Sequence, residues 1–205
     1  MTKVRDFDQV LEVAARLFGE RGYEATRLDD VANELGVLKG SLYYYTSSKA
    51  ELLLHINGRR LQKLIGNARS ILDSDGSAVE RMEGILRAHV RSIDEYYPES
   101  SQWFVPIIVK PSRNRRGRSN PPPDSGQLHR EYAAIVKQAV EDGQASGEFR
   151  TDLDPKVASL GLLGACNWLT RWYEKGLRYD IDDIADILLK LLLDGLKATD
   201  RKAST

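Results

Sequence analysis

The stretch that decides the fold lies between residues 10 and 56 and reads VLEVAARLFGERGYEATRLDDVANELGVLKGSLYYYTSSKAELLLHI. Apolar residues recur at helical spacing in its first part, at Val10, Leu11, Ala14, Leu17 and Phe18. A second apolar stripe ends at Gly36, whose tolerance of positive φ suits a tight turn, and a third short segment covers residues 39–45. Three short helices with a glycine between the second and third predict a helix-turn-helix.

The third helix carries the groups that this motif presents to nucleic acid. Residues at its start face base edges in the major groove, where Lys39 can donate to guanine and Ser41 to several bases. Gly40 lets the backbone approach closely, and tyrosine hydroxyls can reach phosphate oxygens. Lys49 begins the next helix and adds a cation for another phosphate. Of the three consecutive tyrosines, we expect Tyr45 to pack inward.

Charge does not by itself predict DNA binding. Residues 1–60 hold nine Lys plus Arg and nine Asp plus Glu, and the whole chain has a formal net charge of zero. This balance argues against a histone-like binder and allows only a locally basic surface.

The stretch resembles the DNA-binding domain of TetR-type transcriptional regulators, on the motifs LFGERGYEAT, DDVA, LGV, KGSLYYY and SKAELL. The resemblance covers about a quarter of the chain. It implies a three-helix DNA-binding head on a larger helical body that binds a ligand and dimerises. It also implies that Thr26 and Arg27 lie beside the DNA backbone at the start of the second helix. The remaining implied contacts are Lys39, Gly40, Ser41 and Tyr44 facing DNA, Tyr43 near them, and Lys49 on a phosphate.

Two residues depart from the family pattern. Leu38 stands where a serine or threonine usually caps the recognition helix, which predicts a looser or shifted helix start. Thr46 stands where a phenylalanine is usual, which removes a core ring beneath that helix. Neither change removes the DNA contacts.

Composition sets the class of the rest of the chain. Its 205 residues are 41% hydrophobic and 29% charged, enough to bury a core. The single cysteine, Cys166, excludes a disulfide framework and a CxxC zinc site, and is expected to be an inert core thiol. The charged N-terminus and the short apolar runs predict no signal peptide and no membrane span, hence a soluble cytoplasmic protein.

Helical spacing continues to the C-terminus and predicts an all-α protein of about nine helices. Ser47 or Ser48 is expected to cap a long helix, and Asp154 before Pro155 marks another helix start. We assign residues 1–50 to a helix-turn-helix DNA-binding domain and residues 51–205 to a ligand-binding and dimerisation domain. The last two long helices, roughly 155–175 and 181–197, are predicted to form a homodimer interface. Their apolar stripes are broader than the single helix face that packing within one protomer needs. These stripes contain Leu160, Leu163, Leu169, Ile184, Ile187, Leu188, Leu191 and Leu192.

A second and sparser resemblance concerns the body. Residues 147–155 and 162–176 are similar to TetR-type regulators of fatty-acid and sterol catabolism, whose inducers are acyl-CoA thioesters. A pocket of Trp103, Phe104, Trp168, Arg171 and Trp172 would suit such an effector, with the last three on one helical face. The alternative is that the two later tryptophans are core or dimer anchors.

A cationic loop adds a second open question. Lys110, Arg113, Arg115, Arg116 and Arg118 could gather the CoA phosphates or form a solvated loop.

The predicted function is a ligand-responsive repressor that leaves a palindromic double-stranded DNA operator when a small hydrophobic effector binds. Alternatives are an acyl-CoA-binding carrier or enzyme that uses the C-terminal pocket, and a TetR-like architectural protein or activator without a small ligand. No catalytic residues, metal site or cofactor are predicted. The three histidines, His55, His89 and His129, have no nucleophile at a recognised spacing, and Asp182-Asp183 is interpreted as helix first-turn charge.

Overall fold

The computed structural model describes residues 6–96, 122–176 and 178–198. Within these ranges the regular secondary structure is eight α-helices and one 3₁₀ turn, Leu169–Arg171, so the predicted all-α class is confirmed. The helices are α1 (Phe7–Arg21), α2 (Leu28–Glu34), α3 (Lys39–Tyr45), α4 (Lys49–Leu72), α5 (Ala78–Glu95), α6 (Ser125–Ala145), α7 (Pro155–Trp168) and α8 (Ile181–Leu196).

The chain divides into two compact units, and α4 contributes residues to both. The first unit contains the chain up to Arg60 and the described part of 96–125. The second contains Leu61–Glu95 and the chain from Gly126 onward.

The turn between α2 and α3 follows the helix-turn-helix prediction. Gly36 has φ of +65°, the left-handed conformation that favours glycine. The Gly36 N–H donates to the Asn33 carbonyl and the Val37 N–H to the Ala32 carbonyl, each at 3.0 Å. Ala32 is buried at this point, so the small side chain lets the chain reverse closely.

The first unit is held by an apolar core that all four of its helices share. Leu42 of α3 is fully buried in this core together with α1 residues such as Leu17 and Phe18. Tyr45 packs against the same cluster and stacks on Phe7 at 6.0 Å between ring centroids, so the prediction that it points inward is confirmed.

Ser48 caps α4, which confirms one of the two predicted capping serines. Its Oγ accepts the Glu51 N–H at 3.2 Å, while the Glu51 carboxylate accepts the Ser47 N–H at 2.7 Å. Thr46 is fully buried beside this cap, and its hydroxyl donates to the Ser48 carbonyl at 2.9 Å. Thr46, which stands where the family usually has phenylalanine, therefore supplies a hydrogen-bond donor to a backbone carbonyl at the α3–α4 junction.

Helix α5 packs against α7 and α8 in the second unit. Two ion pairs join α5 to α8 at 2.7 Å each, Arg87 with Asp186 and Arg91 with Asp182. The ion pair with Arg91 lowers the pKa of Asp182. Asp180 caps α8 by accepting the N–H groups of Asp182 and Asp183. These contacts agree with the interpretation of this acidic pair as helix first-turn charge.

The turn after α6 ties three helices of the second unit together. The Phe149 ring is buried against Gly143 of α6, and the Phe149 N–H donates to the Gly143 carbonyl at 2.9 Å. The Glu148 carboxylate accepts the Ala78 N–H at 2.9 Å and the Val79 N–H at 3.2 Å, and these bonds lower the pKa of Glu148. The Ala198 N–H donates to the Glu148 carbonyl at 2.8 Å.

Helix α7 begins as predicted and ends earlier than predicted. Asp154 accepts the Val157 N–H at 2.9 Å, and Pro155 is the first helical residue. The expected continuation to about residue 175 is wrong, because the α-helix stops at Trp168 and one 3₁₀ turn follows. The Trp172 N–H donates to the Leu169 carbonyl, three residues back, at 3.1 Å, as in a 3₁₀ turn.

None of the helices in the described ranges is long and apolar enough to cross a lipid bilayer.

We predict that Gly143→Ala destabilises the protein by about 1–3 kcal/mol, since its new methyl group would collide with the buried Phe149 ring. Gly66→Ala in α4 is the matched control, because that helical glycine is exposed with no atom near the added carbon. It should instead stabilise by about 0.5–1 kcal/mol. Urea unfolding of both variants measures the difference. Equal stabilisation by the two substitutions would contradict the proposed packing.

Candidate nucleic-acid interface and apolar groove

Helix α3 turns one face inward and leaves the other open. Leu42 is buried, whereas Lys39 and Gly40 are exposed and Ser41 is half-buried. Tyr44 is the most exposed aromatic of the helix, with 73% of its surface accessible, and Tyr43 is also exposed. The structure therefore brings five predicted DNA-facing residues onto one helix, with Leu42 holding that helix from behind.

Lys39 is paired with an acidic residue that the sequence reasoning missed. Its Nζ lies 2.7 and 2.8 Å from the two carboxylate oxygens of Asp29 on α2. The hydrogen bond to Asp29 raises the pKa of Lys39, and Nζ also lies 5.9 Å from the centre of the Tyr43 ring. Both partners are about half exposed, so the pair adds little stability and mainly orients the lysine. Only the packing of α2 on α3 brings these residues together, across ten positions of sequence.

Lys49 lies against the loop between α1 and α2. Its Nζ donates to the carbonyls of Tyr23 at 2.7 Å and Glu24 at 3.0 Å, and lies 4.4 Å from the Tyr23 ring centre. Nζ also lies 3.5 Å from the Glu24 carboxylate, so a phosphate would have to compete with that carboxylate for the third donor of the ammonium group. The side chain thus has a structural role in addition to the predicted DNA contact.

Thr26 and Arg27 are placed differently although they are adjacent. Thr26 is 0% exposed, and its hydroxyl bonds the carbonyls of Gly22 at 2.8 Å and Leu17 at 3.1 Å. The prediction that Thr26 lies beside the DNA backbone is therefore corrected for its side chain, which is buried and has a structural role. Arg27 is exposed at the start of α2, where its backbone N–H donates to Asp30 at 2.7 Å.

The second unit carries an apolar groove between the end of α7 and one face of α8, with a volume of about 430 Å³. Trp168 and Trp172 both line it, and they are 63% and 48% exposed. Arg171 is exposed and is not part of the lining. Trp103, Phe104 and the cationic residues of 110–118 lie outside the described residues. The lining consists of Ala165, Trp168, Leu169, Trp172, Tyr179, Ile184, Ile187, Leu188 and Leu191.

The groove contains residues predicted for two different roles. Ile187 and Leu191, predicted as dimer contacts, line the same surface as the two tryptophans predicted for the effector. None of the residues that line the groove carries a formal charge. The surface therefore suits an apolar partner and does not itself supply cations for CoA phosphates.

A polar cluster lies inside the second unit, and the sequence reasoning did not find it. His89 of α5 is buried, with Nδ1 3.1 Å from the Tyr132 hydroxyl and Nε2 3.1 Å from the Asn167 side-chain oxygen. The available signal was a histidine within the apolar stripe of α5, between Leu86 and Val90. The cluster joins α5, α6 and α7 by hydrogen bonds.

The single cysteine, Cys166, is an unreactive buried thiol. Cys166 is buried in α7, and burial raises the pKa of its thiol to about 12. The thiol therefore stays protonated at neutral pH and is a weak nucleophile. Among the described residues, no three His, Cys, Asp or Glu side chains come together as metal ligands.

Comparison with known proteins agrees with this arrangement. Residues 10–56 match the model for bacterial regulatory proteins of the tetR family, and residues 75–196 match that for the tetracyclin repressor-like C-terminal domain. The chain is 30% identical over 188 residues to the HTH-type transcriptional repressor KstR2 of Rhodococcus jostii, covering 92% of this chain and 89% of that protein.

Solved structures share the fold over nearly the whole chain. A TetR/AcrR family regulator from Thermobifida fusca is 33% identical with a TM-score of 0.73, covering 92% of this chain and 96% of that one. Bacillus subtilis FadR in complex with stearoyl-CoA has a TM-score of 0.72 and 20% identity, covering 93% and 99%. The chain belongs to the TetR family of bacterial transcriptional regulators and is a regulator of transcription, not an enzyme.

Proposed function

We propose that this protein is a ligand-responsive repressor that binds a palindromic operator as a homodimer and is released by an acyl-CoA thioester. The observation that carries the proposal is the exposed face of α3, which is anchored by Leu42 and presents Lys39, Ser41 and Tyr44. Residues 1–50 would form the DNA-binding domain and 51–205 the ligand-binding and dimerisation domain. Operator binding would place the protein in the cytoplasm, where the bacterial chromosome lies.

The proposed DNA contacts divide by chemistry. Lys39 and Ser41 would reach base edges, and Gly40 would let the backbone approach the groove. Tyr43, Tyr44 and Arg27 would lie along the phosphates, which set register without reading sequence. Lys49 would bond a phosphate in place of its ion pair with the Glu24 carboxylate while it holds the α1–α2 loop through the Tyr23 and Glu24 carbonyls.

The proposed dimer uses the exposed apolar residues of α7 and α8. Leu191 is 71% exposed, and Leu160 and Ile187 are also exposed, an arrangement typical of an interaction surface. Two members of the predicted interface, Leu163 and Leu169, are buried in the protomer's own core, so the interface is proposed without them. A twofold axis would set the two heads one DNA turn apart, about 34–36 Å or somewhat more.

The exposure of Trp168 and Trp172 favours a dimer contact for them over an effector contact. They share the groove with Ile187 and Leu191, and a second copy of the groove would cover all four residues. Arg171, Trp103 and Phe104 are retained as effector candidates. The basic residues of 110–118 are retained as candidates for the CoA phosphates.

The effector class is supported by the relatives. The solved structure of Bacillus subtilis FadR contains stearoyl-CoA. The name of KstR2 as a repressor supports the proposed direction of regulation. Coupling would be a population shift in which effector binding favours a body conformation that swings α4, the helix that begins in the first unit and ends in the second.

We predict that Lys39→Ala weakens operator binding by about 1–3 kcal/mol and relaxes the preference at one base pair. Lys49→Ala should weaken binding to all DNA sequences alike, and should lower the slope of log affinity against log salt concentration by about one per subunit. It should also lower the melting temperature of the protein, because the bonds from Lys49 to the Tyr23 and Glu24 carbonyls are lost. Fluorescence anisotropy over a salt series measures both effects. Lys156→Ala on the exposed face of α7 is the control and should change neither. Unchanged binding by Lys39→Ala and Lys49→Ala would contradict the placement of α3.

We predict that the wild-type protein sediments as a dimer at micromolar concentration and that Leu191→Glu is a monomer with unchanged helical content. A charge at this position would be buried without a partner in the dimer and solvated in the monomer. Lys190→Ala, the adjacent residue on α8, is the control and should remain dimeric. A monomeric wild type, or a dimeric Leu191→Glu, would exclude this interface.

We predict that palmitoyl-CoA releases the operator and that palmitate or CoA alone does not. A hundredfold loss of operator affinity corresponds to about 2.7 kcal/mol of coupling, and by reciprocity DNA must weaken palmitoyl-CoA binding by the same factor. A gel-shift titration and calorimetry measure the two sides. Arg171→Ala should weaken release, and Trp168→Ala should alter the oligomeric state.

Two results would contradict the effector assignment. If an unrelated hydrophobic molecule released the operator and no thioester did, the acyl-CoA assignment would fail and the repressor function alone would stand. No release by any small molecule would favour the architectural alternative.

A further inference from the structure

Leu38 is an exposed apolar residue directly before α3. It is the N-cap of α3, with extended backbone at φ −69° and ψ 142°, and no side-chain hydrogen bond caps the helix there. A serine, threonine or aspartate at this position could cap the helix with a side-chain oxygen, which leucine lacks. The side chain is 57% exposed and is not part of the apolar core of the first unit.

The surroundings of Leu38 are the predicted DNA-facing surface. Lys39 and Gly40 follow it directly and are exposed, and Tyr44 lies exposed further along the same helix. Glycine at position 40 adds no side chain that could hold Leu38 away from a ligand. Because the first residues of a recognition helix meet base edges, an exposed side chain at the N-cap lies at the entrance to the groove.

Leucine can recognise only one kind of group in the major groove. Its side chain has no donor or acceptor, so it cannot bond the N7, O6, O4 or amino groups of the bases. The apolar group that bases present there is the C5-methyl of thymine.

We propose that Leu38 is a specificity-determining residue that contacts the C5-methyl group of one thymine in each operator half-site. This inference rests on the proposed function, because it requires α3 to lie in the major groove. Covering one methyl group is worth about a fourfold change in affinity, and two half-sites together about fifteenfold.

The test removes the methyl group from the DNA and the leucine from the protein. An operator is selected with the wild-type protein, and each symmetric pair of thymines is replaced in turn by deoxyuridine, which differs only by the methyl. Dissociation constants are measured by anisotropy at one fixed salt concentration. We expect one thymine pair at which the wild type loses about fifteenfold and Leu38→Ser loses nothing.

Leu38→Ser also separates recognition from structure. A serine can cap α3, so the variant should be at least as stable as the wild type in thermal unfolding, while losing the dependence on the methyl group. Tyr44→Phe is the matched control, because it removes a hydroxyl from the same surface. It should lower overall affinity and keep the deoxyuridine effect at the same position.

Two outcomes overturn the inference while leaving the proposed function intact. In one, operator binding is specific but no thymine is sensitive to deoxyuridine. In the other, Leu38→Ser is as sensitive as the wild type. Failure to select any operator would instead overturn the proposed function, and the inference with it.

Discussion

A helix of seven residues cannot persist in water without tertiary support, and α3 is such a helix. Its support is the burial of Leu42 in the core of the first unit, with Tyr45 packed at its end against Phe7. Once Leu42 points inward, the helical period decides which residues point outward. The exposure of Lys39, Gly40 and Tyr44 therefore follows from the burial of Leu42. The turn at Gly36 sets the angle between α2 and α3.

The same unit shows how a protein with no excess positive charge can hold individual cations in fixed positions. Lys39 is oriented by Asp29 and Lys49 by the carbonyls of Tyr23 and Glu24, so neither side chain is free to sample many rotamers. Holding a lysine in place reduces the entropy lost on binding, but the contact with Asp29 must be exchanged or shared. This arrangement favours selective binding over tight non-specific attraction, since the local field of each cation is partly compensated.

The second unit presents its large apolar residues on the outside as well as in the core. Helix α8 turns Ala185 and Leu189 inward and leaves Ile187 and Leu191 exposed, so both of its faces are apolar. The exposed face joins Trp168 and Trp172 in the apolar groove. Meanwhile the interior keeps a hydrogen-bonded cluster of His89, Tyr132 and Asn167. A unit built in this way has an apolar outer surface and a polar interior cluster that fixes how α5, α6 and α7 meet.

The sequence by itself determined the helical class, the helix-turn-helix with its glycine turn, the inward direction of Tyr45, and the caps at Ser48 and Asp154. Each of these depends on contacts within a few residues or on a period of 3.6, which a linear pattern records. Tertiary structure alone decided that Thr26 is buried, that Asp29 meets Lys39, that α7 stops at Trp168, and that Arg171 leaves the groove. These features depend on which helices pack together and at what angle. Neither the spacing of residues along the chain nor a helical period specifies that packing geometry.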